Sequence, residues 1–295
     1  MFFTLSCDDI HMYQVTSSLK HDTGVAYEYS FSAFYLVISL FMTIFALMKV
    51  IVLLIALLPL STWAQSEEAG FTADRPGATT GTDVLPKGRL QWEMGMGFEH
   101  AEQDGLTTKT WTLNTSMLRW GFSDYAELRL QGDWVFDSCE GIHNNGLANL
   151  AIGTKARLFD GWKALPAISL LGNVFIPGRN NYLPEDWGGQ IGLLFQNQLT
   201  DRLSLGYEGD LIWNDSSRPT FFYGVCLGLA LNDNWQVIAE EYNNNTVDGT
   251  DSWVELGAAW QCSNRVQLDV STDIYLNAPK KFWNLQVGIA WQITK

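Results

Sequence analysis

Residues 125–136 read Tyr-Ala-Glu-Leu-Arg-Leu-Gln-Gly-Asp-Trp-Val-Phe. Ala126, Leu128, Leu130, Trp134 and Phe136 share one parity, and Glu127, Arg129, Gln131 and Asp133 share the other. Successive side chains of a strand point to opposite faces, so as a strand this stretch is greasy on one side and charged on the other, whereas a helix would scatter both sets around its axis. Residues 265–276 repeat the split, with Val266, Leu268, Val270, Ile274 and Leu276 opposed to Arg265, Gln267, Asp269, Ser271 and Asp273.

Working outward, alternation and turn residues together predict twelve strands, at 89–100, 107–120, 125–136, 146–159, 164–176, 188–199, 202–213, 219–231, 234–243, 251–261, 265–276 and 282–294. The connections alternate in character. Those at 121–124, 160–161, 200–201, 232–233 and 263–264 are tight, while 101–106, 137–145, 177–187, 214–218, 244–250 and 277–281 are mostly longer and rich in Asn, Asp, Gly and Pro. An even number of strands of membrane-crossing length, with short turns on one rim and long loops on the other, is the pattern of an all-β, transmembrane antiparallel β-barrel, short turns facing the periplasm. Alternation alone does not say which face is outside. A twelve-strand barrel with its apolar face inward would enclose a void too wide for side chains to fill, so the apolar face is expected against lipid.

Aromatic residues fall near the strand ends, where amphipathic rings favour the headgroup level. Trp92, Trp120, Tyr125, Trp162, Trp235, Trp260 and Trp291 are expected in the periplasmic belt, and Phe98, Trp111, Trp134, Phe175, Trp213, Phe221 and Trp253 in the outer one.

Composition agrees. Only 17% of the 295 residues are charged, and the formal net charge of −14 argues against nucleic acid as a partner. The apolar run at 31–60 is broken by a single charge at Lys49, and after it no apolar span could make a membrane helix. One reading of that run is a retained anchor. The favoured one starts at Met48, with Lys49 as basic region, an apolar 50–60 and cleavage between Ala64 and Gln65, which makes 48–64 a signal peptide and 1–47 an upstream extension from a mis-assigned start. Residues 65–88 would precede the wall, and 89–295 would form the barrel. Of four cysteines, Cys139, Cys226 and Cys262 would remain, an odd number that implies no complete disulfide framework.

Phe71-Thr72-Ala73-Asp74-Arg75-Pro76-Gly77, Leu85-Pro86-Lys87-Gly88, Leu118-Arg119-Trp120-Gly121-Phe122-Ser123-Asp124 with Glu127-Leu128-Arg129, and the segments 146–159, 165–167, 177–178 and 203–207 carry a resemblance. Over about residues 71–293 the chain resembles the phenol-degradation meta-pathway family of outer-membrane proteins, whose members are often labelled transporters. The resemblance implies an outer-membrane barrel of a Gram-negative bacterium and uptake of small apolar or aromatic compounds, and it supplies no catalytic residue. One departure is the C-terminus, Trp291-Gln292-Ile293-Thr294-Lys295, where barrels commonly end in an aromatic read by the insertion machinery; Trp291 is the residue placed to serve from a shifted position. The partners expected are outer-membrane lipid, that machinery and a small-molecule solute, with no cofactor.

The inward set is mixed but acid-rich: Glu93, Glu127, Arg129, Asp133, Lys155, Arg157, Glu208, Asp210, Glu240, Glu255, Arg265, Asp269 and Asp273. It reads either as a conduit whose carboxylates tune selectivity or as a salt-bridged lumen that passes nothing. Asp74, Arg75 and Pro76 lie in a segment that cannot extend the wall, so it is a periplasmic tail or, as favoured, an insert plugging the lumen. The leading function is a passive channel or transporter for small, hydrophobic or aromatic molecules. The alternative is a structural or surface-interaction protein with a closed lumen, and a lipid-modifying enzyme at the rim is a distant third. His100 beside Glu99, and Ser138 near His143, lack any orienting group for catalysis. Cys139, Glu140 and His143, or 243–245 with Asp248 and Asp251, miss metal-site spacings, so no metal is expected.

Overall fold

The structure is a computed structural model describing residues 71–294 apart from 104, 215–218, 248 and 278–279. The expected upstream extension, the signal peptide and residues 65–70 lie outside the described residues.

Twelve antiparallel strands run in chain order: β1 (Leu90–Gln103), β2 (Leu106–Ser123), β3 (Ala126–Cys139), β4 (Ile142–Phe159), β5 (Ala167–Phe175), β6 (Gly188–Gln198), β7 (Leu203–Trp213), β8 (Thr220–Ala230), β9 (Trp235–Asn245), β10 (Thr250–Ser263), β11 (Val266–Tyr275) and β12 (Lys281–Gln292). Each pairs with its neighbours in sequence, and β1 pairs with β12, with Trp92 opposite Trp291, so the sheet closes. Closure leaves no edge strand, so the ladders run around the whole wall, as hydrocarbon requires.

Parity decides what faces where. Leu128, Leu130, Leu193, Val225 and Leu268 on the outer face are all exposed, while Glu127, Lys155 and Asp210 on the inner face are buried. A soluble protein does not carry a continuous apolar belt of this kind around its whole girth; the belt is the lipid contact. Rings from neighbouring strands meet on it, with Phe98 at 4.7 Å from Trp111 and Trp235 stacked on Trp260 at 5.8 Å and 10°. Two residues expected in the outer belt lie elsewhere. Trp253 shares its parity with Glu255, and Phe175 with Leu171, and both line the lumen cavity described below.

The long connection expected at 137–145 is instead a hairpin. β3 and β4 stay paired out to Cys139 and Ile142 and reverse over Glu140 and Gly141, both at positive φ (49° and 82°), the backbone of a tight twisted turn. β1 and β2 likewise remain paired to Gln103 and Leu106. The polar residues that read as loop are strand segments standing beyond the apolar belt. Conversely, β5 begins at Ala167 rather than 164, since Pro166 cannot donate to a ladder, and Trp162 and Leu165 form a bridge of their own before it.

Candidate functional site

Residues 72–88 run inside the barrel. Beginning at the short-turn rim, the Gly88 amide donates to the Gly121 carbonyl of β2 (2.7 Å), and the Leu85 amide to Glu127 of β3 (2.8 Å). Asp83 then meets Arg157 of β4, and the Thr82 carbonyl accepts from Ser169 of β5 (2.6 Å) while its hydroxyl donates to Gln196 of β6 (3.2 Å). The Thr80 amide donates to Glu208 of β7 (3.0 Å), and the Thr79 amide to Glu240 of β9 (2.6 Å), with the Thr79 hydroxyl against Gly224 of β8. Pro76 lies against Gly257 of β10, and the Arg75 carbonyl accepts from Gln267 of β11 (2.7 Å). The Arg75 guanidinium passes between Gly288 of β12 and Gly95 of β1, where a Cβ at Gly95 would stand 2.7 Å from Nη2, and pairs with Asp269 at 3.1 Å. Only glycine on both strands leaves that groove open. The segment therefore makes one full circuit and touches all twelve strands.

The circuit ends at Asp74, the centre of the buried charges. Arg129 Nη1 lies 2.6 Å from Asp74 Oδ2, Lys155 Nζ 2.8 Å from Oδ1, and Arg119 Nη1 3.6 Å from Oδ2. Arg119 also holds Glu127 through two bonds of 2.9 Å and Glu93 at 2.7 Å. Lys155 further donates to the Gly81 carbonyl at 2.9 Å, tying the end of the circuit at Asp74 to its middle. Burial alone pushes the Asp74 carboxyl up, but the surrounding Arg119, Lys155 and Arg129 charges outweigh it and hold the group well below the usual carboxylate range. Arg119 is fully buried. With three cations facing three carboxylates, the set is compensated, the condition under which buried charges are tolerated.

Outward of the insert lies a cavity of about 410 Å³. Its floor is Arg75–Ala78, and its roof is Asn181–Pro184 of the 176–187 connection, which folds inward. That fold is held by Asn180, whose side chain donates to the Leu147 carbonyl (3.0 Å) and accepts from the Tyr182 and Leu183 amides (2.9 Å each). Burial and the nearby Asp137 push the Tyr182 phenol up. Carboxylates and aromatic rings share the cavity wall.

The sequence-derived candidates separate into groups. Glu127, Arg129 and Lys155 join the Asp74 cluster, and Asp269 and Glu208 bind the insert elsewhere. Asp133 and Asp210 line the cavity and accept from Asn149 (2.6 Å) and Gln190 (2.5 Å). Glu255 and Asp273 line it too. Arg157 stays near the short-turn rim between Asp83 and Asp160. Arg265 is not part of the lumen set: it sits half-exposed in the turn between β10 and β11, too close to the rim for its parity to matter. Arg119 was missed as an inward residue, although Met117-Leu118-Arg119-Trp120-Gly121 alternates as cleanly as 125–136. At the outer rim His100 contacts Glu102 (3.3 Å) and stacks on Trp283, a packing role. Among the described residues no group of three His, Cys, Asp or Glu could hold a metal ion.

Among solved structures, the chain is similar to an outer membrane channel from Pseudomonas putida F1, with 14% identity over 74% of this chain and 99% of that one and a TM-score of 0.58. The CymD monoaromatic hydrocarbon channel matches at 8% identity over 70% and 88%, TM-score 0.43. The KdgM porin in complex with disordered oligogalacturonate matches at 10% over 68% and 99%, TM-score 0.42. No curated protein matches the chain. The family described as "Putative MetA-pathway of phenol degradation" matches residues 73–292, a span running from the insert to the last residue of β12. Insert and wall are thus matched as one unit, and the chain belongs to that family.

Proposed function

We propose that the protein is an outer-membrane channel admitting small apolar or aromatic molecules by passive diffusion, with the outer cavity as its entry compartment and the insert as the element that sets the width of the passage. The observation that carries this is the cavity itself. A cavity of about 150 Å³ holds a benzene ring, so about 410 Å³ takes one aromatic ring with water. Its lining sets aromatic rings such as Phe222, Tyr242 and Trp253 among many polar and charged side chains, so a small organic solute would find ring contacts and hydrogen-bonding groups together. Below it, the Asp74 cluster and the Lys155–Gly81 hydrogen bond hold the insert across the lumen, where it would narrow the passage. Membership in a phenol-degradation family and the likeness to an outer membrane channel support the same reading.

A second reading, a closed and braced barrel, is favoured by the insert's contacts with all twelve strands. Planar-bilayer conductance and liposome uptake of phenol, with and without residues 66–84, separate the two. Under the channel reading the intact protein takes up phenol and the deletion raises conductance several-fold. Unchanged conductance in a folded deletion variant removes the insert from the passage. A deletion variant that conducts, beside an intact protein that admits no phenol, favours the brace.

A further inference from the structure

Inside the barrel, this chain pairs its structural carboxylates: Asp74, Glu93, Glu127 and Asp269 each have an Arg or Lys partner. A second group does not follow that rule. Glu240 of β9 stands directly opposite Glu255 of β10, and Glu255 directly opposite Asp273 of β11. Asn284 of β12, hydrogen-bonded to Asp273, links that row to Glu99 of β1, its own register partner. All four carboxylates are buried. Side chains directly opposed in a ladder have Cβ atoms about 4.5–5.5 Å apart, and like charges placed so are destabilising. Among the described residues none of the four forms an ion pair with Lys or Arg. Glu99 Oε2, Glu240 Oε2 and Asp273 Oδ1 are buried without a hydrogen-bond donor. Buried carboxylates left this way are stabilised by a positive charge brought beside them or by protonation.

One step outward on the same face is a row of rings. Tyr242 and Trp253 are directly opposed and stacked, centroids 5.3 Å apart at 10°, and Tyr275 tilts against Trp253 at 5.2 Å. At the mouth, the ammonium of Lys280 already lies 5.4 Å from the Tyr275 ring centroid and 5.7 Å from that of Phe282. Aromatic faces attract such cations.

We propose that the carboxylate row and the ring row above it form a binding site for a small organic cation, an ammonium carried on an aromatic or alkyl body. The ammonium sits toward Glu255 and Asp273, and the apolar body lies against Tyr242 and Trp253. A divalent metal fits less well, because it needs converging oxygen ligands and gains little from aromatic faces. This rests on the cavity's being the entry compartment and adds a preference, among the small organic molecules that enter it, for those bearing an amine.

The test is calorimetric titration of the folded full chain in detergent with benzylammonium and with its neutral counterpart, benzyl alcohol. Benzylammonium is expected to bind at least about tenfold more tightly, a difference well within calorimetric reach. The double variant Glu255→Gln, Asp273→Asn abolishes the preference. Trp253→Leu, which leaves the carboxylates in place, weakens both probes. Heat-modifiable migration of each variant confirms a folded barrel. Equal binding of the two probes, a preference that survives the double variant, or calcium displacing benzylammonium at lower concentration overturns the proposal. Phenol uptake without ammonium preference leaves the channel standing and removes this site; ammonium preference without any flux does the reverse.

Discussion

Asp74 is a single carboxylate answering three buried cations, and its replacement is correspondingly costly. Asp74→Asn leaves Arg119, Arg129 and Lys155 with too little negative charge around them, and breaking a buried charge set by removing one partner costs about 3–5 kcal/mol. The variant should show that loss in urea unfolding of the detergent-solubilised protein. The acid limb carries the same signature. Because the folded-state carboxyl is held far below its unfolded value of about 3.9, its contribution is complete above that pH. It is lost progressively as pH falls toward the lowered folded value. Wild-type stability should therefore fall in that acid window, and the Asp74→Asn protein should lack that share of the fall. Asp74, Arg75 and Pro76 stood out in the sequence as residues unable to build wall. Their partners did not, since which of many inward charges lies nearest Asp74 depends on where the circuit ends, and nothing local to the strands records that.

At the level of elements, strand existence was readable because each strand faces lipid on one side and water or charge on the other, so parity is written residue by residue. Strand ends were less readable. Polar residues at 137–145 carry loop composition, yet the turn at Glu140 and Gly141 keeps the ladder going above the membrane, where no apolar parity is needed. Trp253 and Phe175 show a related limit: an aromatic near a strand end fits a lipid belt or a lumen wall equally well by type, and only its parity against Glu255 or Leu171 decides. Contact between insert and wall yields a prediction at this scale. A methyl group at Gly121 would collide with the Leu85 and Pro86 carbonyls. β2 is held by ladders to both β1 and β3, so the insert must yield rather than the strand. Gly121→Ala should leave strand content unchanged by circular dichroism and speed maleimide labelling of a Thr80→Cys reporter by about tenfold, the factor expected from destabilising docking by roughly 1.4 kcal/mol. Unchanged labelling would show the insert can shift without undocking.

For the whole molecule, the wall closes through its own ladders, whereas the insert contributes side-chain and amide contacts added onto a finished sheet. A chain lacking residues 66–84 should therefore still fold to a heat-modifiable barrel, with a lower unfolding temperature than the intact protein because Arg119, Arg129 and Lys155 lose Asp74. Failure to fold would mean that docking precedes closure. High salt should change that temperature little, since buried pairs are screened far less than exposed ones.

The circuit from Thr72 to Leu85 also fixes how the barrel can change over evolutionary time. Its reach is about 43 Å at roughly 3.3 Å per residue, and each strand added to the wall lengthens the path by up to about 4.8 Å. Duplicating one hairpin would draw Asp74 away from Arg119 and Lys155 by more than any side chain spans, unless about three residues entered the insert in the same lineage. Strand number and insert length are thereby locked together, and relatives with ten or fourteen strands should carry inserts shortened or lengthened to match.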